Sequence, residues 1–193
     1  MIFLDPAIDD SDDLYTLGKY YPSTDPKFKE DDFSKTLLAL KYRHDTDGNP
    51  EDWKLRNRKR AIQQFRRQLD PLLSPDIAIA VVPSSDPAEG MSGIHELAKA
   101  LVATGRIDAT ECLVRFAKIE KLARGGDRSI EGHLNSVRVE QPELIQGREV
   151  SLLDDVTTSG NSLGACRQLL LKAGAKRVKC MALGRTTRSQ ENA

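Results

Sequence analysis

The sequence is poor in the residues that build disulfide frameworks and metal cages. Only three cysteines and three histidines occur among its 193 residues. An odd number of cysteines without a Cys-x-x-Cys pair predicts neither disulfides nor a zinc site, and reduced thiols fit a cytoplasmic protein. These residues lie at positions without metal-ligand spacing: Cys112, Cys166, Cys180, His44, His95 and His133.

Aromatic residues, net charge and long apolar runs are scarce as well. Aromatic residues make up 5% of the chain and apolar residues 39%, so aliphatic side chains must fill the core. The 29 basic and 29 acidic residues cancel, which leaves no overall field for capturing nucleic acid or an anionic membrane. No apolar run could span a bilayer, and the first residues lack the basic start of a secretory signal. The length fits one domain.

The first part of the chain is predicted to contain an arm, a strand and two helices. Residues 1–13 are rich in aspartate and predict a flexible acidic arm. Residues 14–21 predict an edge strand, and residues 33–42 and 51–69 predict amphipathic helices.

The second of these helices has a strongly basic polar face over residues 54–67. Such a face could contact nucleic acid, but most are only solvated, so we do not favour a nucleic-acid partner. Trp53, at the start of the helix, is expected to be a packing anchor rather than a base-stacking platform. The basic residues are Lys54, Arg56, Arg58, Lys59, Arg60, Arg66 and Arg67.

Apolar strands alternate with helices from residue 71 onward. Residues 77–82 form an almost continuous apolar run, the pattern of a strand buried on both faces of a parallel sheet. The alternation predicts a single α/β domain, with a mostly parallel twisted sheet flanked by helices. Further strands are predicted over residues 111–116, 137–139, 149–153 and 178–183, and helices over residues 94–102 and 162–173.

Two adjacent carboxylates, Asp154 and Asp155, follow the apolar run at 149–153. Carboxylates this close are unfavourable unless something binds them. A furanose with free 2- and 3-hydroxyl groups would supply two adjacent donors, and the same carboxylates could orient Mg²⁺ bound to that diol. The pair therefore predicts a sugar site at the carboxyl edge of the sheet.

A turn of small hydroxyl residues comes next, and a helix starts near Ser162. Hydroxyl groups and the backbone N–H groups of a helix start favour a phosphate monoester, and Gly160 would let the backbone approach it closely. The alternative is an ordinary Asp-Asp turn with Thr and Ser as helix caps. Each piece is common alone, but their order after a buried strand favours the functional interpretation.

The segment 152–162, Leu-Leu-Asp-Asp-Val-Thr-Thr-Ser-Gly-Asn-Ser, resembles a known motif. It is similar to the phosphoribosyl-pyrophosphate (PRPP) binding motif of type I phosphoribosyltransferases, with Ser159 where Thr is frequent. The resemblance implies that Asp154 and Asp155 are catalytic and contact Mg²⁺ indirectly, through the PRPP that carries it. It also implies a 5-phosphate loop made of Thr157, Thr158, Ser159, Gly160, Asn161 and Ser162.

Shorter segments resemble the ComF branch of that family, the competence-associated phosphoribosyltransferase-like proteins. These are Leu-Leu-Ala-Leu-Lys-Tyr-Arg at 37–43, Val-Val-Pro-Ser at 81–84 and Leu-Gly-Arg-Thr at 183–186. The zinc ribbon common at the front of ComF proteins is missing. In this interpretation residues 14–193 form the domain, with a hood at 14–70 and a core at 71–187.

The resemblance further implies a pyrophosphate loop after the strand at 77–82. Pro83, Ser84 and Ser85 would lie beside the pyrophosphate with their N–H groups turned inward. Asp86 is an awkward neighbour for pyrophosphate unless Mg²⁺ intervenes. The alternative is a plain proline-rich turn between a strand and a helix.

A charged segment at 117–132 is predicted to be mobile, and in related transferases such a segment closes over the active site. The alternative is a solvated charged loop. Arg115, at the end of a strand, is the best candidate for a catalytic cation. The other cations around this segment are Lys118, Lys121, Arg124 and Arg128.

The function that the resemblance implies is transfer of ribose 5-phosphate from PRPP, with Mg²⁺, to an unidentified nitrogenous acceptor, with release of pyrophosphate. The alternative is a non-catalytic sensor of PRPP or a nucleotide, with the basic helix as its output surface. A nuclease or NTPase fits less well because the chain has no Gly-x-x-x-x-Gly-Lys-[Ser/Thr] loop. A homodimer is compatible with these functions, and no membrane partner is expected.

Overall fold

The structure is a computed structural model that describes residues 14–42, 53–86, 91–119 and 129–187. Within these ranges the strands of the main sheet are β1 (Leu14–Tyr20), β2 (Ala78–Val81), β3 (Ile107–Asp108), β6 (Glu149–Thr157) and β7 (Arg177–Thr186). They form a five-stranded sheet in the order β1-β7-β6-β2-β3. All neighbouring pairs in it are parallel. The predicted α/β class with a mostly parallel sheet is confirmed.

Helices cover both faces of this sheet, and a small second sheet lies beside it. Strands β4 (Leu113–Arg115) and β5 (Val137–Val139) pair antiparallel to form the second sheet. Among the described residues no helix has the length and apolarity to cross a membrane. The helices are α1 (Asp32–Leu40), α2 (Trp53–Leu69), α3 (Gly93–Val102), α4 (Ile130–Leu134) and α5 (Asn161–Lys172).

Strand β2 shows why the sheet is buried on both sides. All four of its residues are buried. Ile79 and Val81 belong to the core that includes α1, α2 and α3, whereas Ala78 and Ala80 belong to the core that includes α5. Successive side chains of a strand point to opposite faces, so a continuous apolar run is what two covered faces require.

The cysteines serve as apolar filling in the second of these cores. Cys112, Cys166 and Cys180 are free and buried there. Burial raises the pKa of the Cys112 and Cys166 thiols to about 12. Thiols with so high a pKa are inert as nucleophiles at neutral pH, which supports a structural role.

The order of the strands creates a crevice at the carboxyl ends of β2 and β6. After β2 the chain moves outward to β3, and after β6 it moves in the opposite direction to β7. Connections that leave two adjacent parallel strands in opposite directions open a crevice between them, where ligands of open α/β sheets bind. The fold therefore places residues 82–86 and 154–162 side by side.

Several elements differ from the sequence-based expectation. Strand β3 and helix α4 are not predicted, because two and five residues are too few to show a hydrophobic period. Ser129 starts α4 by accepting a hydrogen bond from the Gly132 N–H group at 3.0 Å. The last strand extends to Thr186, three residues beyond its predicted end at 183, where β1 still pairs with it.

The region predicted to form a hood contributes a strand to the main sheet and two helices to its first core. Within 14–70, β1 adds an edge strand to the sheet, and α1 and α2 bury Leu37 and Phe65 in the first core. The division into hood and core stays a prediction. The predicted acidic arm, 1–13, and most of the predicted mobile segment, 120–128, lie outside the described residues.

Candidate active site

A cleft of about 920 Å³ opens at the carboxyl ends of β2 and β6. Its walls come from the β2–α3 loop, the end of β6, the start of α5 and the end of α1. The residues predicted for the carboxylate pair, the 5-phosphate loop and the pyrophosphate loop line this one cleft, together with Arg115: Pro83, Ser84, Ser85, Arg115, Asp154, Asp155, Thr157, Thr158, Ser159, Gly160, Asn161 and Ser162.

The two carboxylates lie inside β6 rather than after it. The predicted strand ends at 153, but the pairing with β7 continues through Asp154 and Val156 to Thr157. Because neighbouring residues of a strand start out toward opposite sides, the two carboxylates have different partners although both line the cleft. The Asp154 Oδ2 atom accepts a hydrogen bond from the Ser162 Oγ at 3.3 Å, whereas the Asp155 Oδ2 atom pairs with the Lys41 Nζ at 3.1 Å.

The surroundings of Asp154 disfavour its ionised form. Burial, and then the nearby negative charge of Asp155, raise the pKa of Asp154 to about 8. Lys41 and the hydroxyl group of Ser162 act in the opposite direction but do not outweigh these two causes. The raised pKa favours the protonated form of Asp154 in the absence of a ligand, and a positive charge placed between the carboxylates would favour loss of that proton.

The raised pKa of Asp154 predicts a pH-dependent stability. Between the ordinary aspartate pKa of 3.8 and about 8, the unfolded chain has lost a proton that the folded chain retains. The free energy of unfolding should therefore fall as pH rises through this range. The asparagine of Asp154→Asn cannot lose a proton. At the high-pH end of this range the variant should therefore have a free energy of unfolding about 1 to 3 kcal/mol above that of wild type, and at the low-pH end the two values should be nearly equal.

Urea unfolding of both proteins at several pH values, without ligands, measures this difference. Asp76→Asn serves as the control because it makes the same substitution at an exposed residue outside the cleft. A stability difference between Asp154→Asn and wild type that is the same at every pH would contradict the raised pKa.

The turn after β6 presents polar groups to the cleft. The Thr157 Oγ1 is buried and has no hydrogen-bond partner among the described residues, which is costly unless a ligand supplies one. Gly160 has a φ of 80° and precedes α5, and the Ser159 Oγ accepts a long hydrogen bond of 3.5 Å from the Asn161 N–H group at the start of this helix. Residues with an L side chain rarely adopt that φ, so glycine keeps the approach to the first helical N–H groups open.

Arg115 braces the loop that follows β2. Its side chain is only 5% exposed. The Nε atom donates to the Ser84 carbonyl, and the Nη1 atom donates to the Ser136 Oγ at 2.7 Å. The guanidinium group thus holds the Ser84–Ser85 loop at the cleft and adds a buried positive charge beneath it. Direct contact between Arg115 and a leaving group stays a prediction.

Asp86, the acidic neighbour of this loop, has a cationic partner. The Lys118 Nζ lies 2.8 Å from the Asp86 Oδ2. The next residue, Ile119, donates its N–H to the Ser85 carbonyl at 3.0 Å. The start of the segment predicted to be mobile is therefore tied to the loop, and Lys118 offsets the charge that made Asp86 an awkward neighbour for pyrophosphate.

Two cations of the cleft were not predicted as site residues. Lys41 directly follows α1 and belongs to the segment 37–43, which resembles the ComF branch. No role is predicted for Lys41 itself. Arg58 was placed on the solvated polar face of α2, and this is wrong, because its side chain is only 4% exposed and lines the cleft. The sequence offers no signal that separates Arg58 from the other cations of its helix.

Arg58 joins three parts of the cleft wall. Its Nη2 atom lies 2.6 Å from the Glu96 Oε1 on α3 and also donates to the Met91 carbonyl at 3.2 Å. Its Nη1 atom donates to the Tyr42 carbonyl, just beyond α1, at 2.5 Å. A buried guanidinium group with carboxylate and carbonyl partners fixes these backbones relative to one another.

The carboxylate and hydroxyl oxygens of the cleft suit a metal ion that binds together with a phosphorylated ligand. Within the described ranges, no three His, Cys, Asp or Glu residues lie close enough to hold a metal ion. Two carboxylates and several hydroxyl groups line the cleft, and Mg²⁺ commonly takes one or two protein carboxylates together with phosphate oxygens of a substrate. The residues present therefore suit substrate-bound Mg²⁺ better than a resident ion.

Comparison with known proteins yields weak likenesses only. No family model and no curated protein matches the chain. Among solved structures, hypoxanthine phosphoribosyl transferase of Trypanosoma cruzi is similar with a TM-score of 0.36 and 14% identity, covering 70% of this chain and 66% of that chain. Purine phosphoribosyltransferase of Pyrococcus horikoshii Ot3 is similar with a TM-score of 0.38 and 19% identity, covering 71% of this chain and 90% of that chain.

A third structure, adenine phosphoribosyltransferase of Leishmania tarentolae, aligns over more of the chain. It has a TM-score of 0.45 and 13% identity, covering 92% of this chain and 94% of that chain. With TM-scores and identities this low, none of these likenesses bears on the activity of the chain. The ComF resemblance stays a sequence-based prediction.

Proposed function

We propose that the cleft binds PRPP together with Mg²⁺ and transfers ribose 5-phosphate to a nitrogenous acceptor, with release of pyrophosphate. The observation that carries this proposal is the convergence of three separate ligand-binding features on one cleft. These are the carboxylate pair in β6, the start of α5 and the loop braced by Arg115.

The ribose would lie against the carboxylate pair. Its adjacent 2- and 3-hydroxyl groups can donate to Asp154 and Asp155, replacing the contacts that these groups now make with Ser162 and Lys41. Binding of the charged ligand would favour the ionised form of Asp154. Two carboxylates near C1 would then stabilise the positive charge that develops on the sugar as the bond to pyrophosphate breaks.

The 5-phosphate would lie at the start of α5. The first N–H groups of a helix and its positive dipole end favour a phosphate group there. The Thr157 hydroxyl group would gain the partner that it lacks, and Thr158 and Ser159 are exposed around it. Gly160 allows the phosphate to approach the backbone.

The pyrophosphate would lie between the Ser84–Ser85 loop and the end of α1. Arg115 holds the Ser84 carbonyl, so the loop is ordered before the ligand arrives. Lys41, released from Asp155 by the ribose, can pair with the phosphates from the opposite wall. Mg²⁺ bound to PRPP would neutralise part of the charge that pyrophosphate gains as it leaves.

Incubation of the purified protein with PRPP, Mg²⁺ and a panel of nitrogenous bases, followed by assay of released pyrophosphate, tests the proposal. Base-dependent release is the expected result. Binding of PRPP without release under all conditions would support the non-catalytic sensor instead. Absence of PRPP binding would exclude the transferase and a sensor of PRPP.

The predicted contribution of Lys41 can be measured separately. Lys41→Met should raise the KM for PRPP about tenfold, because Asp155 then repels the incoming phosphates without a compensating cation. Lys41→Arg keeps the charge and should restore most of the affinity. Lys35→Met is a matched control, since it removes an exposed lysine of the same helix whose pair with Asp32 measures 2.9 Å. Equal KM values for Lys41→Met and Lys35→Met would contradict the contact.

A further inference from the structure

Helix α2 carries positive charge without any acidic residue. Its sequence, Trp-Lys-Leu-Arg-Asn-Arg-Lys-Arg-Ala-Ile-Gln-Gln-Phe-Arg-Arg-Gln-Leu, contains cations along its whole length. Ala61, Phe65 and Leu69 face the core, and Arg58 turns inward to Glu96. The remaining cations are exposed or half-buried, although the chain as a whole has a formal net charge of +0. The exposed Lys59, Arg60, Arg66 and Arg67 therefore give the helix a local positive surface on a neutral protein.

The helical repeat gathers part of this charge into one stripe. Trp53, Arg56, Arg60 and Arg67 are spaced by three, four and seven residues, so they lie on the same side of α2. All four are exposed, and the side chain of Trp53 is 52% exposed. Trp53 packs against Tyr42, as expected of an anchor, but much of its surface is left accessible. A stripe of arginines that begins with an exposed aromatic ring presents both charge and a stacking surface.

A groove of about 660 Å³ runs beside this stripe, between α2 and α1. Cations from three elements line it: Lys29, Lys35 and Arg60. No acidic side chain lines the groove in the part of the chain that the structure describes. Lys35 pairs with Asp32 at its outer edge, at 2.9 Å, but both groups are exposed to solvent, where such pairs exchange readily.

Aromatic rings and amide groups accompany these cations. Phe28 and Tyr42 line the groove, and the Tyr42 ring meets the Trp53 ring edge-on with centroids 5.4 Å apart. Asn57 and Gln64, on the groove side of α2, provide both donors and acceptors. The groove therefore continues into the stripe through the Tyr42–Trp53 contact.

We propose that this groove and stripe bind single-stranded nucleic acid. A cationic groove follows a sugar-phosphate backbone, and aromatic rings beside it stack with unpaired bases. Cations alone would suit any polyanion, but the rings and the amide groups are useful only where base faces and edges are accessible, which excludes a closed duplex. The stripe lies on the opposite side of α2 from Arg58, which lines the cleft, so substitutions in the stripe test this proposal separately from the proposed transferase reaction.

The test uses the fluorescence of Trp53, the single tryptophan of the chain. Titration of the full protein at low salt with an oligothymidylate of about 12 nucleotides should quench this fluorescence as bases stack on the ring. Fluorescence anisotropy of a labelled oligonucleotide gives the affinity. Trp53→Ala should weaken binding about tenfold, whereas Trp53→Phe should retain most of the affinity because a ring remains.

A matched pair of double variants separates this surface from general charge effects. Arg60→Ala with Arg67→Ala should weaken binding at least about tenfold and make it less dependent on salt. Lys172→Ala with Lys176→Ala removes the same charge from two exposed residues at and just beyond the C-terminal end of α5. This control pair should change the affinity less than about twofold.

Three results would overturn the proposal. One is the absence of binding at low salt. The second is an equal loss of affinity in the two double variants, which would indicate diffuse attraction rather than this surface. The third is tighter binding of a duplex of the same length, which would indicate recognition of phosphates without bases.

Discussion

Replacement of both Asp154 and Asp155 by asparagine is expected to abolish pyrophosphate release from PRPP, lowering kcat/KM by at least about a thousandfold. Asparagine keeps the size of the side chain and can still hydrogen-bond to the ribose. It removes the negative charges that would stabilise a developing sugar cation. The loss should therefore appear mainly in kcat, and the pyrophosphate assay at saturating PRPP measures it.

The same double variant should remain folded, because neutral side chains at both positions remove the repulsion by Asp155 that helps to raise the pKa of Asp154. Asp76→Asn, an exposed substitution of the same type, should keep wild-type activity. A double variant that turns over PRPP at the wild-type rate would refute the assignment of the carboxylate pair.

Gly93→Ala is expected to destabilise the protein by about 3 kcal/mol or more. Gly93 is the first residue of α3, and a Cβ atom there would lie 2.2 Å from the Leu40 carbonyl oxygen and 2.9 Å from its carbonyl carbon. Because the contact is with backbone, no side-chain rotation relieves it. Either α3 or the end of α1 must move, and both line the cleft.

Gly164→Ala makes the matched comparison for this substitution. Gly164 lies inside α5, where a Cβ atom would meet only the Ile130 Cδ1, at 3.8 Å. Alanine there should stabilise the protein by about 0.5 to 1 kcal/mol, since it lowers the conformational entropy of the unfolded chain. Urea unfolding of both variants measures the difference. Similar stabilities would show that the close approach of α3 to α1 is not required for folding.

The central strands and long helices could be predicted because their signals are local and repeat several times. The apolar run at 77–82 and the periodic pattern at 51–69 correspond closely to β2 and α2. Strand β6 was predicted too short, because the carboxylates that follow Leu153 resemble the end of a strand. Pairing with β7 continues the strand past them, and no local pattern contains that information.

Sequence alone determined that a carboxylate pair, a hydroxyl-rich turn and a helix start follow one another at the edge of an α/β sheet. These residues are contiguous, so local backbone geometry is sufficient to bring them together. Tertiary structure alone decided which distant cations join them. Lys41 reaches Asp155 because α1 packs over that edge, and Arg58 is buried because Glu96 and two backbone carbonyl groups meet around it. Helical periodicity assigns a residue to a face, but only the packing of elements far apart in sequence determines what that face meets.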